Sequence, residues 1–191
     1  MLQPAETTMT VDEYLAFERS AETRHELIDG VLVAMSGGTR AHNRITGNIF
    51  ATLHSQTRHH GRRPYIADMR LRVANTGLFT YPDIVVTCGD EAVEDDGMLL
   101  TDATLIVEVL SKSTEAYDRG EKWARYRRLP SLTDYLLVAQ DQIRIERFSR
   151  AEGETWVFSE ASTLDAVIEL GTIGSRLALA DVYDGIRDSS L

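Results

Sequence analysis

The chain holds a single cysteine, Cys88, among 191 residues, which excludes an internal disulfide and a thiolate metal site. No apolar run approaches the roughly 20 residues that span a bilayer. The opening stretch MLQPAETTMTVDEY lacks both the basic flank and the apolar core of a secretion signal. A cytoplasmic protein with no membrane segment is therefore expected. Cations are scarce as well: 20 Lys and Arg stand against 30 Asp and Glu, a formal charge of −10. That balance argues against broad, non-specific nucleic-acid binding, though not against a local basic groove. No repeat, low-complexity tract or Pro/Gly/Ser-rich linker divides the chain, and its length suits one well-buried core, so a single domain over residues 1–191 is expected. Nothing resembles a separate DNA-reading module such as a helix-turn-helix or zinc finger.

The elements that are present follow from periodicity. TVDEYLAFERS places Glu13 three residues after Thr10, a capping box that opens a short N-terminal helix. HELIDGVLVAMSG predicts a hairpin turning at Asp29-Gly30. In AHNRITGNIFATLHSQTRHHG, Ile45, Ile49, Leu53 and Gln56 recur at helical intervals and the helix is expected to end at Gly61. The basic run RHHGRR at 58–63 reads as a helix C-terminus or as a phosphate contact. IADMRLRVANT alternates, which predicts a half-exposed strand with Asp68, Arg70 and Arg72 facing outward. GDEAVEDDG at 89–97 reads as a solvated loop between two buried strands. STEAYDRGEKWARYRRLP predicts a helix capped by Ser113 or Thr114 and closed before Pro130. Three strands are expected from Asp134 to Ala161, with turns at Asp141-Gln142 and Glu152-Gly153, and a last helical turn in LALADVYDGI. The sum is an α/β domain with a mixed sheet.

Two acids interrupt the buried strands. YPDIVVTCGD carries Asp83 and LIVEVLSKST carries Glu108, the latter with apolar neighbours on both faces of its strand. An ionised carboxylate there must lie at a strand end near solvent, pair with a cation, or bind a metal. Two such acids at the ends of adjacent strands repel each other unless a cation lies between them. A divalent ion with oxygen ligands satisfies both, and Mg²⁺ suits a site with few carboxylates and several retained waters. On the next helix Asp118, Lys122 and Tyr126 form one stripe at i, i+4 and i+8. Lys122 is either an ammonium reaching back to the acids, where it would stabilise charge developing on a phosphate, or half of a surface pair with Asp118 worth about 0.3–0.5 kcal/mol.

YPD at 81–83, Glu108 25 positions after Asp83, EVLSKST, YDRGEKWARY and the helix start bearing His42 together resemble the PD-(D/E)XK nuclease superfamily. More narrowly they resemble its Uma-type branch of restriction-endonuclease-like proteins, over most of the chain. The resemblance implies a restriction-endonuclease-like core, a central mixed β-sheet flanked by helices, with the N-terminal helix and hairpin added. It implies that Asp83, Glu108 and the backbone carbonyl of Val109 hold Mg²⁺, with Mn²⁺ as a substitute. The lysine expected two residues after Glu108 is replaced by Leu110, a departure that bears on activity rather than fold. In this branch the role passes to the following helix and points to Lys122, with Lys112 ranked second because SKST reads as a loop and cap. Glu26 matches a position that could add an acid to the site, or is an exposed strand residue. His42 orients a phosphate or a water, or caps and packs its helix.

The function implied is metal-dependent endonucleolytic hydrolysis of DNA phosphodiester bonds, with a homodimer as the easiest route to duplex cleavage. The alternatives are a catalytically silent nuclease-fold protein serving a transposition or repair complex, and a protein that reuses the fold away from nucleic acid.

Overall fold

The computed structural model describes residues 8–35, 37–89 and 93–186. Helix α1 (Val11–Ser20) begins with the capping box, Glu13 N donating to the Thr10 hydroxyl and Thr10 N to the Glu13 carboxylate. Strands β1 (His25–Ile28) and β2 (Val31–Ala34) form the hairpin. Asp29 and Gly30 turn it with φ of 51° and 87°, the left-handed pair that matches strand twist. Helix α2 (Arg40–Thr57) is capped by Thr39 and buries Ile45, Ile49 and Leu53. It stops at Thr57, four residues short of the expected Gly61. RHHGRR is therefore mostly the turn after the helix, and Arg62 and Arg63 donate to the backbone carbonyls of His60 and Gly89.

Strands β3 (Arg62–Ile66), β4 (Arg70–Val73), β5 (Leu78–Thr80), β6 (Ile84–Cys88), β7 (Val93–Glu94), β8 (Leu99–Leu100) and β9 (Leu105–Leu110) follow. A helical segment comes next: α3 (Glu115–Tyr117), a π-helical turn (Asp118–Lys122) and α4 (Trp123–Tyr126). The chain continues through β10 (Asp134–Ala139), β11 (Ile145–Arg150), β12 (Trp156–Ala161), β13 (Val167–Leu170), β14 (Ser175–Ala178) and α5 (Leu179–Val182).

The central sheet runs β12-β11-β10-β9-β6-β3, with β9 and β10 parallel and the other neighbours antiparallel. The side chains of β9 feed two cores, as alternation requires. Leu105, Val107 and Val109 meet Ile45, Ile49 and Leu53 of α2, together with the β13–β14 hairpin and α5. Ile106 and Leu110 meet Tyr126 of α4, Tyr135 of β10 and Leu71 and Leu78 of a second sheet. This is the expected mixed sheet flanked by helices. The second sheet, ordered β2-β1-β5-β4-β8-β7, was not expected, nor was the β13–β14 hairpin. Strands β7 and β8 are two residues long, too short to show a period.

Three expectations need correction. The strand read as half-exposed carries a buried guanidinium: Arg70 donates to Asp95 at 2.9 Å and lies over the Tyr14 ring. The segment read as a solvated acidic loop supplies that partner. Asp95 has a buried side chain, which Arg19 also contacts. The single helix is interrupted by the π turn, and Thr114 stands at its N-cap position, with its N–H donating to the Ser111 hydroxyl at 3.2 Å in the preceding turn. Thr114 itself makes no side-chain cap.

A buried charge that loses its partner costs more than the pair contributed. Asp95→Ala should therefore lower stability by about 3 kcal/mol in chemical denaturation, whereas Glu94→Ala, on the exposed neighbour, should change it by under about 1 kcal/mol. Equal effects would show that Arg70 does not depend on Asp95.

Candidate active site

The register β6–β9 pairs Ile84 with Val107. One step further brings Asp83 opposite Glu108, on the same face of the sheet. Asp83 lies just before β6, and its Oδ2 accepts from Val109 N at 2.7 Å and meets His42 Nε2 at 3.1 Å. A strand residue's N–H and C=O point to the same side, so the Val109 carbonyl also turns toward Asp83. His42 sits in the first turn of α2. Its backbone N donates to the Thr39 hydroxyl, so the residue both completes the cap and presents its ring to Asp83. A Cβ on Gly38 would lie 2.8 Å from His42 Nδ1; the missing side chain there leaves room for the ring.

Glu108 is within β9 rather than at a solvent-facing end, and only 4% of it is exposed. Of the three ways to keep such an acid, the structure shows the cation. Lys122 Nζ lies 3.2 Å from Glu108 Oε1, 3.1 Å from Glu26 Oε1 and 3.4 Å from Asp118 Oδ1. Tyr126 OH donates to the same Glu108 oxygen at 2.8 Å, and Thr80 Oγ1 donates to Glu26. The reading of Lys122 and Asp118 as a surface pair is overturned, because both are buried. So is the reading of Glu26 as an exposed strand residue: it is buried on β1 and aimed at the ammonium. The stripe Asp118, Lys122 and Tyr126 is real, and it is turned inward. Lys112 is exposed in the turn after β9.

Three carboxylates around one ammonium leave this pocket short of positive charge. Burial pushes Glu108 up to about 8; Lys122 opposes the shift, while Asp118, Asp83 and Glu26 reinforce it. Asp118 is raised by burial against the pull of Lys122, and its Oδ1 has no hydrogen bond of good geometry. Burial alone would depress Lys122, but Glu108, Glu26 and Asp118 outweigh it and hold the ammonium well above its ordinary value. Burial likewise works against a charged His42, and Asp83, with Asp118 and the Val109 backbone, raises it overall.

That charge deficit is the test of whether a divalent cation fits. Among the described residues no group of three or more His, Cys, Asp or Glu side chains is arranged to hold a metal. An ion here would rest on Asp83, Glu108 and the Val109 carbonyl with water completing its shell, a donor set suited to Mg²⁺. The excess of buried carboxylate agrees with such a cation.

Glu26, His42, Asp83, Glu108, Val109 and Lys122 all line one cleft of about 790 Å³. Sequence reasoning missed Thr80, which donates to Glu26 beside it, and the positioning hydroxyl of Tyr126. Only Tyr126 had a visible signal, its place on the Asp118–Lys122 stripe.

A family model described as "Uma2: Putative restriction endonuclease" matches residues 11–180. Two proteins of Synechocystis sp. (strain ATCC 27184 / PCC 6803 / Kazusa) are similar. Uncharacterized protein slr1290 is 33% identical over 93% of this chain and 93% of its own length. Uncharacterized protein sll1609 is 32% identical over 84% and 92%. A crystal structure described as a "putative nuclease belonging to DUF820" from Anabaena variabilis ATCC 29413 superposes with a TM-score of 0.76 at 16% identity, covering 92% of this chain and 97% of that one. It shares the fold. No helix among the described residues is long and apolar enough to cross a membrane.

The raised pKa of Glu108 sets a sign for stability against pH. A carboxyl held above its unfolded value binds more protons folded than unfolded, so its contribution is complete below about pH 4.5 and lost as pH rises through about 8. His42, also raised, acts in the same direction. In metal-free buffer the protein should lose stability from pH 5 to pH 8, and Glu108→Gln should flatten that slope and gain at pH 8. A wild-type profile that rises over this range in urea denaturation would contradict the charge-deficit account.

Proposed function

This chain belongs to the Uma2 family, and on that premise we propose that it is a metal-dependent endonuclease hydrolysing DNA phosphodiester bonds. The observation that carries the reading is the Lys122 ammonium held 3.2 Å from Glu108, with Asp83 opposite Glu108 in the same cleft. Asp83, Glu108 and the Val109 carbonyl would hold Mg²⁺ or Mn²⁺. Such an ion supplies Lewis-acid polarisation of the phosphoryl oxygens and acidifies a water.

In the reaction water adds to phosphorus, the bond from phosphorus to one sugar oxygen breaks, and that oxygen takes up a proton. Lys122, fixed by Glu26 and Asp118, offers a preorganised positive charge to the phosphoryl group as negative charge grows on it. Tyr126 holds Glu108 Oε1 in place. His42, donating from Nε2 to Asp83 Oδ2, orients that carboxylate. Where a duplex is cut on both strands a symmetric pair is the easiest route, so this reading includes a homodimer. The exposed Val157 and Phe158 of the outer strand β12 supply apolar surface for it.

The test is cleavage of supercoiled, linear and single-stranded DNA with Mg²⁺ or Mn²⁺. Asp83→Ala should abolish activity. Lys122→Ala should lose roughly two orders of magnitude or more while metal affinity, read by calorimetry, survives. Because Lys122 is a buried hub, this variant should also be less stable, so Glu108→Gln, which removes a charge from a crowded site, serves as the well-folded comparison. Lys112→Ala should be nearly neutral. Full turnover in folded Lys122→Ala would remove the lysine from the mechanism. Absence of cleavage and of any Mn²⁺-induced stabilisation would favour the silent binding protein.

A further inference from the structure

The mouth of the cleft differs from its floor. Glu26 pairs with Val33 across the β1–β2 hairpin, so the two side chains share a face. Met35, two residues beyond Val33, continues that face. Ile66, at the end of β3, completes an apolar wall. Val33, Met35 and Ile66 line the cleft yet are 40%, 39% and 37% exposed. What sets them apart from the other exposed apolar side chains is that the three border one cleft, where a single ligand can cover them together. Below the wall the acids and Lys122 are recessed. Of the acid pair Asp83 is the open member, 21% of its side chain being accessible.

Among the described residues, the cleft lining itself offers few cations to a duplex. Its Lys and Arg residues are Lys122, surrounded by three carboxylates, and Arg24. The Arg24 guanidinium lies 3.5 Å from Asp68 and over the Tyr81 ring. Double-stranded DNA presents one charge per about 1.7 Å and is held by phosphate contacts from concentrated cations. A cleft of about 790 Å³ lies instead in the size range that encloses a small ligand.

From these features we infer that the cleft takes an unstacked, single-stranded nucleotide. Its base lies on the Val33–Met35–Ile66 wall and its phosphodiester is carried down toward Asp83 and Glu108. A single strand is held by the faces of its bases, without sequence preference, together with positive charge along its backbone; the wall offers the first, and a cation on Asp83 and Glu108 would offer the second. The inference deepens the nuclease reading for the chemical step, while the binding it asserts stands without turnover. Strand ends, flaps, gaps and frayed junctions are then the substrates, and an intact blunt duplex is a poor one.

The test measures binding and cleavage separately. Fluorescence anisotropy with a labelled oligothymidylate, and with the same strand annealed into a blunt duplex, is read in buffer containing Ca²⁺, which supplies the divalent charge for binding. The single strand should bind at least about tenfold more tightly. The double variant Met35→Ala/Ile66→Ala, on exposed positions outside the acid–lysine cluster, should lose about tenfold for the strand and leave duplex binding unchanged. Circular dichroism confirms that it folds. Cleavage of flapped against blunt DNA with Mn²⁺ forms the second arm. Equal binding of strand and duplex, no binding of either, or an unaltered double variant each overturns the inference, even if duplex DNA is cleaved and the nuclease reading stands. Strand-selective binding that depends on the wall, without cleavage, supports the inference and removes the nuclease instead.

Discussion

One buried ammonium organises this molecule. Lys122 reaches Glu26 on the small sheet, Glu108 on the central sheet and Asp118 on its own helical segment, so three separate parts of the fold converge on a single charge. Desolvating these groups costs several kcal/mol per ion unless geometry compensates. Hydroxyls from Thr80 and Tyr126 take up further oxygen valences, and the helix widens to a π turn over Asp118–Lys122. Such turns are uncommon and recur at functional sites. Here the π turn holds the two buried charged residues of the stripe.

The same arrangement explains the departure at Leu110. Leu110 shares the Glu108 face of β9 and packs in the core with Tyr126 and Tyr135. A lysine there would displace that packing, so the central sheet keeps its apolar layer and the charge arrives from the segment above. Because Glu26 and Asp118 fix the ammonium as well, it is held on three sides. The result is a rigid donor above a carboxyl that burial makes reluctant to ionise. An incoming cation would relieve that reluctance.

Much of this was legible in the residues. The Thr10–Glu13 box, the Asp29-Gly30 turn and the α2 stripe are local signals, and local physics carries them into the structure. The acid pair was legible because a carboxylate inside an apolar strand has few alternatives. The burial of Glu26 and Asp118 was not. Their neighbours in sequence resemble those of any exposed strand or helix, and what buries them is contact with residues 54 or more positions away for Glu26 and a lysine that points inward. The Arg70–Asp95 pair was hidden for the same reason, since an alternating strand and an acidic loop carry no mark of the partner each will meet. The resemblance pointed Lys122 toward the acids, and its ammonium does lie beside Glu108, where spacing alone left a surface pair open.

The contrast between floor and mouth then follows from how the two sheets meet. Strand β1 belongs to the small sheet, yet it delivers Glu26 to a cluster centred on the large one, so the hairpin that carries it must lean over the start of β6. That leaning sets Val33 and Met35 beside the opening, where packing against the core is no longer available to them. The acids need the hairpin close for Glu26 to reach the ammonium, and the hairpin's proximity is what builds the apolar wall. Recessed charge and exposed apolar surface are thus two consequences of one docking geometry. A change that loosens the Glu26–Lys122 contact should disturb both together.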